Sequence, residues 1–184
     1  MRIIGGTLKG TRIVAPKNLP VRPTTDLAKE ALFNILQYRL DWEDIIALDL
    51  FSGTGNITME LASRQVKHIS AVDKHAKCCL HIQSLKKKFD LPQIDVLKYD
   101  VLKFLPNCRQ RFDFIFADPP YDLPELSQIP VMIFKYQLLQ PNGLFVLEHP
   151  STKKINDHPC FTEQRKYGYS SFSFYEMDNY VTSG

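Results

Sequence analysis

Ile45-Ile46-Ala47-Leu48-Asp49-Leu50, running directly into Phe51-Ser52-Gly53-Thr54-Gly55, decides the fold of this chain. The first six residues are apolar on both faces except for Asp49, the pattern of a strand covered on both sides. The glycines then turn the backbone, and Asn56 to Arg64 reads as the helix that follows. Downstream the alternation repeats. Ile69 to Asp73 is a strand and about His75 to Phe89 a helix. Ile94 to Tyr99 and Phe112 to Ala117 are two more strands, a helix lies near 125–139, and Leu144 to Glu148 is the next strand. Repeated units of this kind imply a doubly wound α/β sheet, mostly parallel, with helices on both faces.

The two ends depart from that rhythm. Phe161 to Tyr167 and Ser171 to Glu176 alternate with period two around Gly168, which reads as an antiparallel hairpin closing a seven-stranded sheet at its edge. Tyr167-Gly168-Tyr169 there has two readings, rings that stack on an unpaired nucleic acid and a turn flanked by packing aromatics, and the second is preferred. At the start, Arg2-Ile3-Ile4 and Thr11 to Val14 form a small β-hairpin around Gly5-Gly6 and Gly10. Pro16, Pro20 and Pro23 make an extended connector. A helix over roughly 25–39 follows, capped by Thr24 or Thr25, with Leu27, Ala28, Ala31, Leu32, Ile35 and Leu36 at helical spacing. The expected organisation is a basic hairpin arm over 1–24 and one α/β domain over 25–184.

Composition narrows the setting. With 184 residues, 44% hydrophobic and 23% charged, the chain is of single-domain size. It has no apolar run of membrane-spanning length and no signal-like start, so the cytoplasm is the expected home. Cys78, Cys79, Cys108 and Cys160 include no C-x-x-C pair, and His75, His81, His149 and His158 show no metal spacing. Free thiols and no metal are expected. Residues 1–25 hold five basic side chains and no acid, whereas the remainder carries 18 basic and 20 acidic ones. Charge alone leaves two readings open, a polyanion-binding arm and a solvated hairpin.

Four features lie at strand ends, where open α/β sheets bind ligands. The first is the glycine turn, whose missing Cβ atoms allow close backbone approach. It lacks the Gly-Lys-Ser/Thr of a P-loop, and Thr58 stands where a dinucleotide fingerprint has its third glycine. The second is Asp73, 24 residues after Asp49, placed to accept from ribose hydroxyls. The third is Asp100, placed to accept from an adenine amine beside the Val101 N–H. The fourth is Asp118-Pro119-Pro120-Tyr121. An amine on an aromatic base is a poor nucleophile because its lone pair is delocalised. The Asp118 carboxylate and the Pro119 carbonyl can accept its hydrogens, the prolines stiffen that array, and Tyr121 offers a face for an unpaired base.

In this order the motifs resemble those of class I, Rossmann-like S-adenosylmethionine-dependent amino-methyltransferases. Met1 to Gly6, Arg22-Pro23-Thr24-Thr25-Asp26, Glu30 to Leu36 and Glu148-His149 extend the likeness to the RsmD family, over essentially the whole chain. That resemblance implies S-adenosyl-L-methionine as cofactor and the N2 amine of a guanine in bacterial 16S ribosomal RNA as acceptor. It assigns Asp49, Phe51, Gly53 and Gly55 to the methionine end of the cofactor, Asp73 to the ribose, and Asp100 with Val101 to the adenine. Asp118 to Tyr121 would hold the guanine. Arg2, Lys9 and Arg12 would belong to an RNA-binding arm, and Arg22 and Thr24 would touch cofactor or RNA. The implied partner is 16S rRNA within a small-subunit assembly particle, bound by a monomer.

Two departures stand out. Lys29 occupies a position where the family often has Arg, which would weaken a bidentate phosphate or carboxylate contact. Asn56 stands where a small apolar residue is expected. No chemistry follows from Glu148-His149 beyond strand-end packing. A DNA adenine N6-methyltransferase shares the tetrapeptide but needs more sequence for target recognition. A non-catalytic RNA-binding or assembly protein on the same scaffold is the other alternative.

Overall fold

The computed structural model describes residues 1–16, 19 and 25–177. Among them are five α-helices, α1 (Asp26–Leu36), α2 (Asn56–Ser63), α3 (Ala76–Lys88), α4 (Val101–Phe104) and α5 (Gln128–Lys135). The strands are β1 (Ile46–Leu50), β2 (His68–Asp73), β3 (Ile94–Lys98), β4 (Phe112–Ala117), β5 (Leu139–Pro150), β6 (Phe161–Tyr167) and β7 (Ser170–Glu176). They form a seven-stranded mixed sheet in the order β3-β2-β1-β4-β5-β7-β6. The chain divides into two compact units, Met1–Val101 and Leu102–Gly184.

In the first unit β1 pairs with β2 and β2 with β3, all parallel. Leu48 and Leu50 of β1 and Ile69, Ala71 and Val72 of β2 are buried, as strands covered on both faces require. α2 is buried along its whole length. α1 starts at Thr25, whose hydroxyl accepts from the Ala28 N–H at 3.2 Å. Its inward stripe is Ala28, Lys29, Leu32, Phe33 and Leu36. Leu27, expected on that stripe, is 76% exposed, and Lys29 is inside in its place.

Lys29 is buried, which decides between the two contacts that the sequence left open at that position. Its ammonium donates to the Arg2 carbonyl at 2.6 Å and to Asn56 Oδ1 at 2.8 Å, and it lies 3.5 Å from Glu60 Oε2. Lys29 and Asn56, the two departures from the family pattern, are thus hydrogen-bonded to each other. Of the phosphate and carboxylate contacts considered for this position, the structure shows the carboxylate one, made as an internal tie. Glu60, also without exposure, accepts from the N–H groups of Ile4 and Gly5 at 2.8 Å each. The Arg64 guanidinium closes the cluster at 3.1 Å and lies over the ring of Phe33.

Those contacts dock the N-terminal hairpin. The hairpin is one antiparallel bridge, Arg2↔Arg12, flanked by backbone bonds from Ile3 to Thr11 and from Ile13 to Met1. Thr7 N–H donates to the Ser63 carbonyl at 2.7 Å, and Leu8 N–H to the Ser63 hydroxyl at 2.9 Å. At Gly6, with φ +74°, a Cβ would sit 1.8 Å from that same carbonyl, so no other residue fits. Ile3 and Ile13 are buried, whereas Arg2, Lys9 and Arg12 are not.

In the second unit β4 pairs with β5 in parallel, β5 with β7 antiparallel, and β7 with β6 antiparallel. The expected C-terminal hairpin is therefore present. β5 begins at Leu139, ahead of the expected Leu144, because Gln140 to Gly143 form an irregularity within the strand, with Asn142 at φ 61°. Pro141-Asn142-Gly143 reads locally as a turn, and only pairing with β4 retains it in the ladder. α5 is shorter than 125–139, since turns occupy most of residues 121–127.

Removing one partner from a buried ion pair leaves an uncompensated charge, which costs about 3–5 kcal/mol. Glu60→Ala should therefore lower unfolding free energy by that order in urea denaturation. A Lys29→Met, Glu60→Leu double variant should recover only a small part of it, because the Ile4 and Gly5 N–H groups and the Arg64 guanidinium still lack their acceptor.

Candidate active site

The site residues expected from sequence fall into two groups, one in each unit. In the first unit β1 ends at Leu50, and Phe51 follows with φ 58°, a left-handed conformation rare for a bulky side chain. Backbone strain of this kind concentrates at functional turns. Gly53 and Gly55 also have positive φ, 52° and 75°. Gly55 caps α2 and lies against Ile82, whose Cγ1 would be 2.9 Å from any Cβ there. The Ser52 hydroxyl is buried and has no hydrogen-bond partner among the described residues. A buried hydroxyl without a partner costs free energy, so it marks a place where a ligand can bond. Sequence reasoning missed it, because nothing local tells a buried serine from an exposed one.

Asp73 ends β2. Its Oδ2 accepts from the Gly53 N–H at 2.9 Å and its Oδ1 from the His75 N–H at 2.8 Å. The carboxylate therefore holds the glycine turn in shape and retains a lone pair on each oxygen for further donors. Asp100 is half-buried after β3, and Val101 is buried at the start of α4. Asp49 is fully enclosed. Its carboxyl accepts from the Thr58 hydroxyl at 2.5 Å, so Thr58, where a dinucleotide fingerprint has glycine, supplies the donor for the strand's only acid. Burial pushes Asp49 up to about 7, against the opposing effect of the Thr58 hydrogen bonds.

In the second unit β4 ends at Ala117, and Asp118 to Pro120 follow without regular secondary structure. Pro119 is buried and Pro120 exposed. Tyr121 is held by its hydroxyl, which donates to Glu148 Oε1 at 3.3 Å and meets Ser170 Oγ at 2.5 Å. Burial pushes the phenol up to about 12, with the nearby carboxylates of Glu148 and Asp118 acting in the same direction and the Ser170 bond opposing them. Glu148 and Ser170 face the same side because Glu148↔Phe172 and Pro150↔Ser170 are alternate register pairs, with His149↔Ser171 between them. His149 faces the other side, bonding Ser173 Oγ at 2.8 Å, and burial holds its ring below the usual histidine range. Glu148 thus has a role that the sequence left unassigned.

Arg2, Lys9 and Arg12 remain on the outer side of the docked hairpin, whereas Arg22 and Thr24 lie outside the described residues. Among the described residues no group of three or more His, Cys, Asp or Glu could hold a metal ion. None of their helices is long and apolar enough to cross a membrane.

Strand order, glycine turn and tetrapeptide together define the fold of the class I S-adenosylmethionine-dependent methyltransferases. A family model described as conserved hypothetical protein 95 matches residues 1–176. The chain belongs to that family, the RsmD family that its motifs resemble. It is 31% identical over 183 residues to "Putative rRNA methyltransferase YlbH" of Bacillus subtilis, covering 96% of this chain and 98% of that protein. It is 29% identical over 184 residues to ribosomal RNA small subunit methyltransferase D of Haemophilus influenzae, covering 96% and 93%. The solved structure of hypothetical protein TTHA0928 of Thermus thermophilus superposes with a TM-score of 0.82 at 28% identity, over 96% of this chain and 99% of that one.

The sign of the Asp49 shift sets a stability prediction. A carboxyl whose folded pKa is raised to about 7 favours the folded state below its unfolded value near 3.8, and that contribution is lost as pH rises to about 7. Asp49→Asn should therefore gain stability relative to the parent chain by about 2–3 kcal/mol between pH 5 and pH 8. Urea midpoints of both proteins across that range would measure it.

Proposed function

We propose that this protein transfers a methyl group from S-adenosyl-L-methionine to the N2 amine of a guanine in 16S ribosomal RNA. The substrate we infer is RNA within a small-subunit assembly particle in the cytoplasm, met by a monomer whose arm over residues 1–24 contributes RNA contacts. The observation that carries this reading is the tethered tetrapeptide. Tyr121 is immobilised through its hydroxyl, which leaves its ring as a fixed platform beside the acceptors of Asp118 and Pro119.

The first unit offers groups that fit the cofactor. The glycine turn, the unpartnered Ser52 hydroxyl and the remaining lone pairs of Asp73 suit a ligand that bears hydroxyl and amine donors. Asp49, Phe51, Gly53 and Gly55 would surround its methionine end, Asp73 its ribose, and Asp100 with Val101 its adenine. When bound, S-adenosyl-L-methionine supplies an electrophilic methyl on a sulfonium.

The chain's own residues supply orientation and polarisation. The Asp118 carboxylate and the Pro119 carbonyl accept the two hydrogens of the guanine amine. The Asp118 charge and the Pro119 carbonyl dipole oppose the positive charge that grows on nitrogen during attack, and the proton that the methylated nitrogen must shed would leave along the hydrogen bond to Asp118. Pro119 and Pro120 keep those acceptors in place, because proline restricts the backbone and has no N–H to compete for them. Tyr121 stacks on the base and holds its plane. Burial of the phenol keeps it protonated at any ordinary assay pH, so it orients the base without exchanging protons.

Choice of guanine N2 and of 16S rRNA rests on the family resemblance, and the outward-facing Arg2, Lys9 and Arg12 support a polyanionic partner. Labelled methyl transfer to small-subunit particles that lack the modification, with duplex DNA in parallel, tests the reading. Label on a guanine of the particle RNA is expected. Label on DNA adenine, or on neither, overturns it. Asp118→Ala should lower turnover roughly a hundredfold or more while cofactor affinity stays within about twofold by calorimetry.

A further inference from the structure

The two tyrosines of the β6–β7 turn have different fates. Tyr167 packs against Phe172, with ring centroids 5.6 Å apart. Tyr169 is 86% exposed. The turn around it is nonetheless fastened. Ser151 N–H donates to the Tyr169 carbonyl at 2.9 Å, and the Ser151 hydroxyl donates to the Gly168 carbonyl at 3.1 Å. Its next residue, Ser170, is the one that meets the Tyr121 hydroxyl at 2.5 Å. A large aromatic ring thus stands in solvent on a backbone tied to the same serine as the tetrapeptide's tyrosine.

Charge completes the feature. Lys153 and Lys154 are exposed, two and three residues beyond the Ser151 that fastens the turn. Lys153 N–H donates to the Pro150 carbonyl at 3.0 Å, which folds the pair back against the end of β5. Lys154 lines a cleft with Ser127, Pro130 and Tyr175, which leaves Lys153 as the cation that follows the fastening serine. An exposed ring on a fastened turn, with a cation two residues beyond its fastening point, suits unpaired nucleic acid, the ring stacking on a base and the cation meeting a phosphate.

We infer that the β6–β7 turn is a second RNA contact, in which Tyr169 stacks on an unpaired base flanking the target and Lys153 meets an adjoining phosphate. This inference rests on the rRNA reading above. Tyr121 and Tyr169 would then grip two nucleotides of one strand, and Ser170 would couple their positions. Stacking requires only a ring face, so the contact tolerates Phe or Trp at 169 but not Ala.

The test is steady-state methylation of small-subunit particles lacking the modification. Tyr169→Ala should raise KM for the particle about tenfold, and Tyr169→Trp should restore it. Tyr38, 85% exposed beyond α1, provides the matched control, and Tyr38→Ala should leave KM unchanged. A KM for Tyr169→Ala within about twofold of the parent, or an equal rise in the Tyr38 variant, overturns the inference. If the parent chain methylates no rRNA, the proposed function itself fails; if the parent is active and only the Tyr169 effect is missing, this inference alone fails. A photoreactive p-azidophenylalanine at 169 identifies the partner. Crosslinking to RNA supports the contact, and crosslinking to a ribosomal protein or to nothing overturns it.

Discussion

The first unit depends on one carboxylate that water does not reach. Glu60 lies on α2, buried on all sides, and its two oxygens receive the Ile4 and Gly5 N–H groups, Lys29 and Arg64. Isolated, such a charge would cost several kcal/mol to bury. Surrounded by donors from the hairpin, from α1 and from its own helix, it becomes the point where three segments distant in sequence are locked. Burial works against the Lys29 ammonium, holding it below its usual range, and the Glu60 charge opposes that shift. The two ions are retained because each makes the other tolerable, and because both satisfy backbone groups that the hairpin would otherwise bury unpaired.

The same sharing of donors recurs at the turns of the candidate site. Asp73 receives the Gly53 N–H and thereby shapes the glycine turn, while the Ser52 hydroxyl beside it is left unpartnered among the described residues. In the second unit the Tyr121 hydroxyl is shared between a glutamate of β5 and a serine of β7. A tyrosine on a proline-rich loop would ordinarily sample several rotamers. Fastened at its far end, it presents one ring orientation, which would lower the entropy cost of the base stacking proposed for it.

Much of this architecture was legible before any coordinates. Strands buried on both faces advertise themselves as short apolar runs, and that pattern gives Phe112–Ala117 as observed and starts the first strand at Ile45, one residue ahead of the observed Ile46–Leu50. The C-terminal hairpin was legible too, because two alternating runs joined at a glycine bury one face only when they fold back on each other. The start of β5 was not, since Gln140 to Gly143 carry turn signals that only pairing with β4 overrides. For Lys29 the sequence left a phosphate and a carboxylate contact open, and only the fold shows that the partner is a buried carboxylate. A lysine on a helix is exposed by default, and nothing nearby in sequence announces Glu60, thirty-one residues on.

By itself the sequence determined the α/β class, the strand ends that bear Asp49, Asp73, Asp100 and Asp118, and the family, because these depend on local pattern and on motifs contiguous in the chain. Tertiary structure alone decided which polar groups have partners. It joined Lys29 to Asn56 and Glu60, gave Glu148 and Ser170 to Tyr121, and separated the packed ring of Tyr167 from the exposed ring of Tyr169 across a single glycine. The reason is physical. A hydrogen bond or a buried charge is defined by what approaches it in space, and in each of these cases the partner comes from a part of the chain that local pattern cannot see.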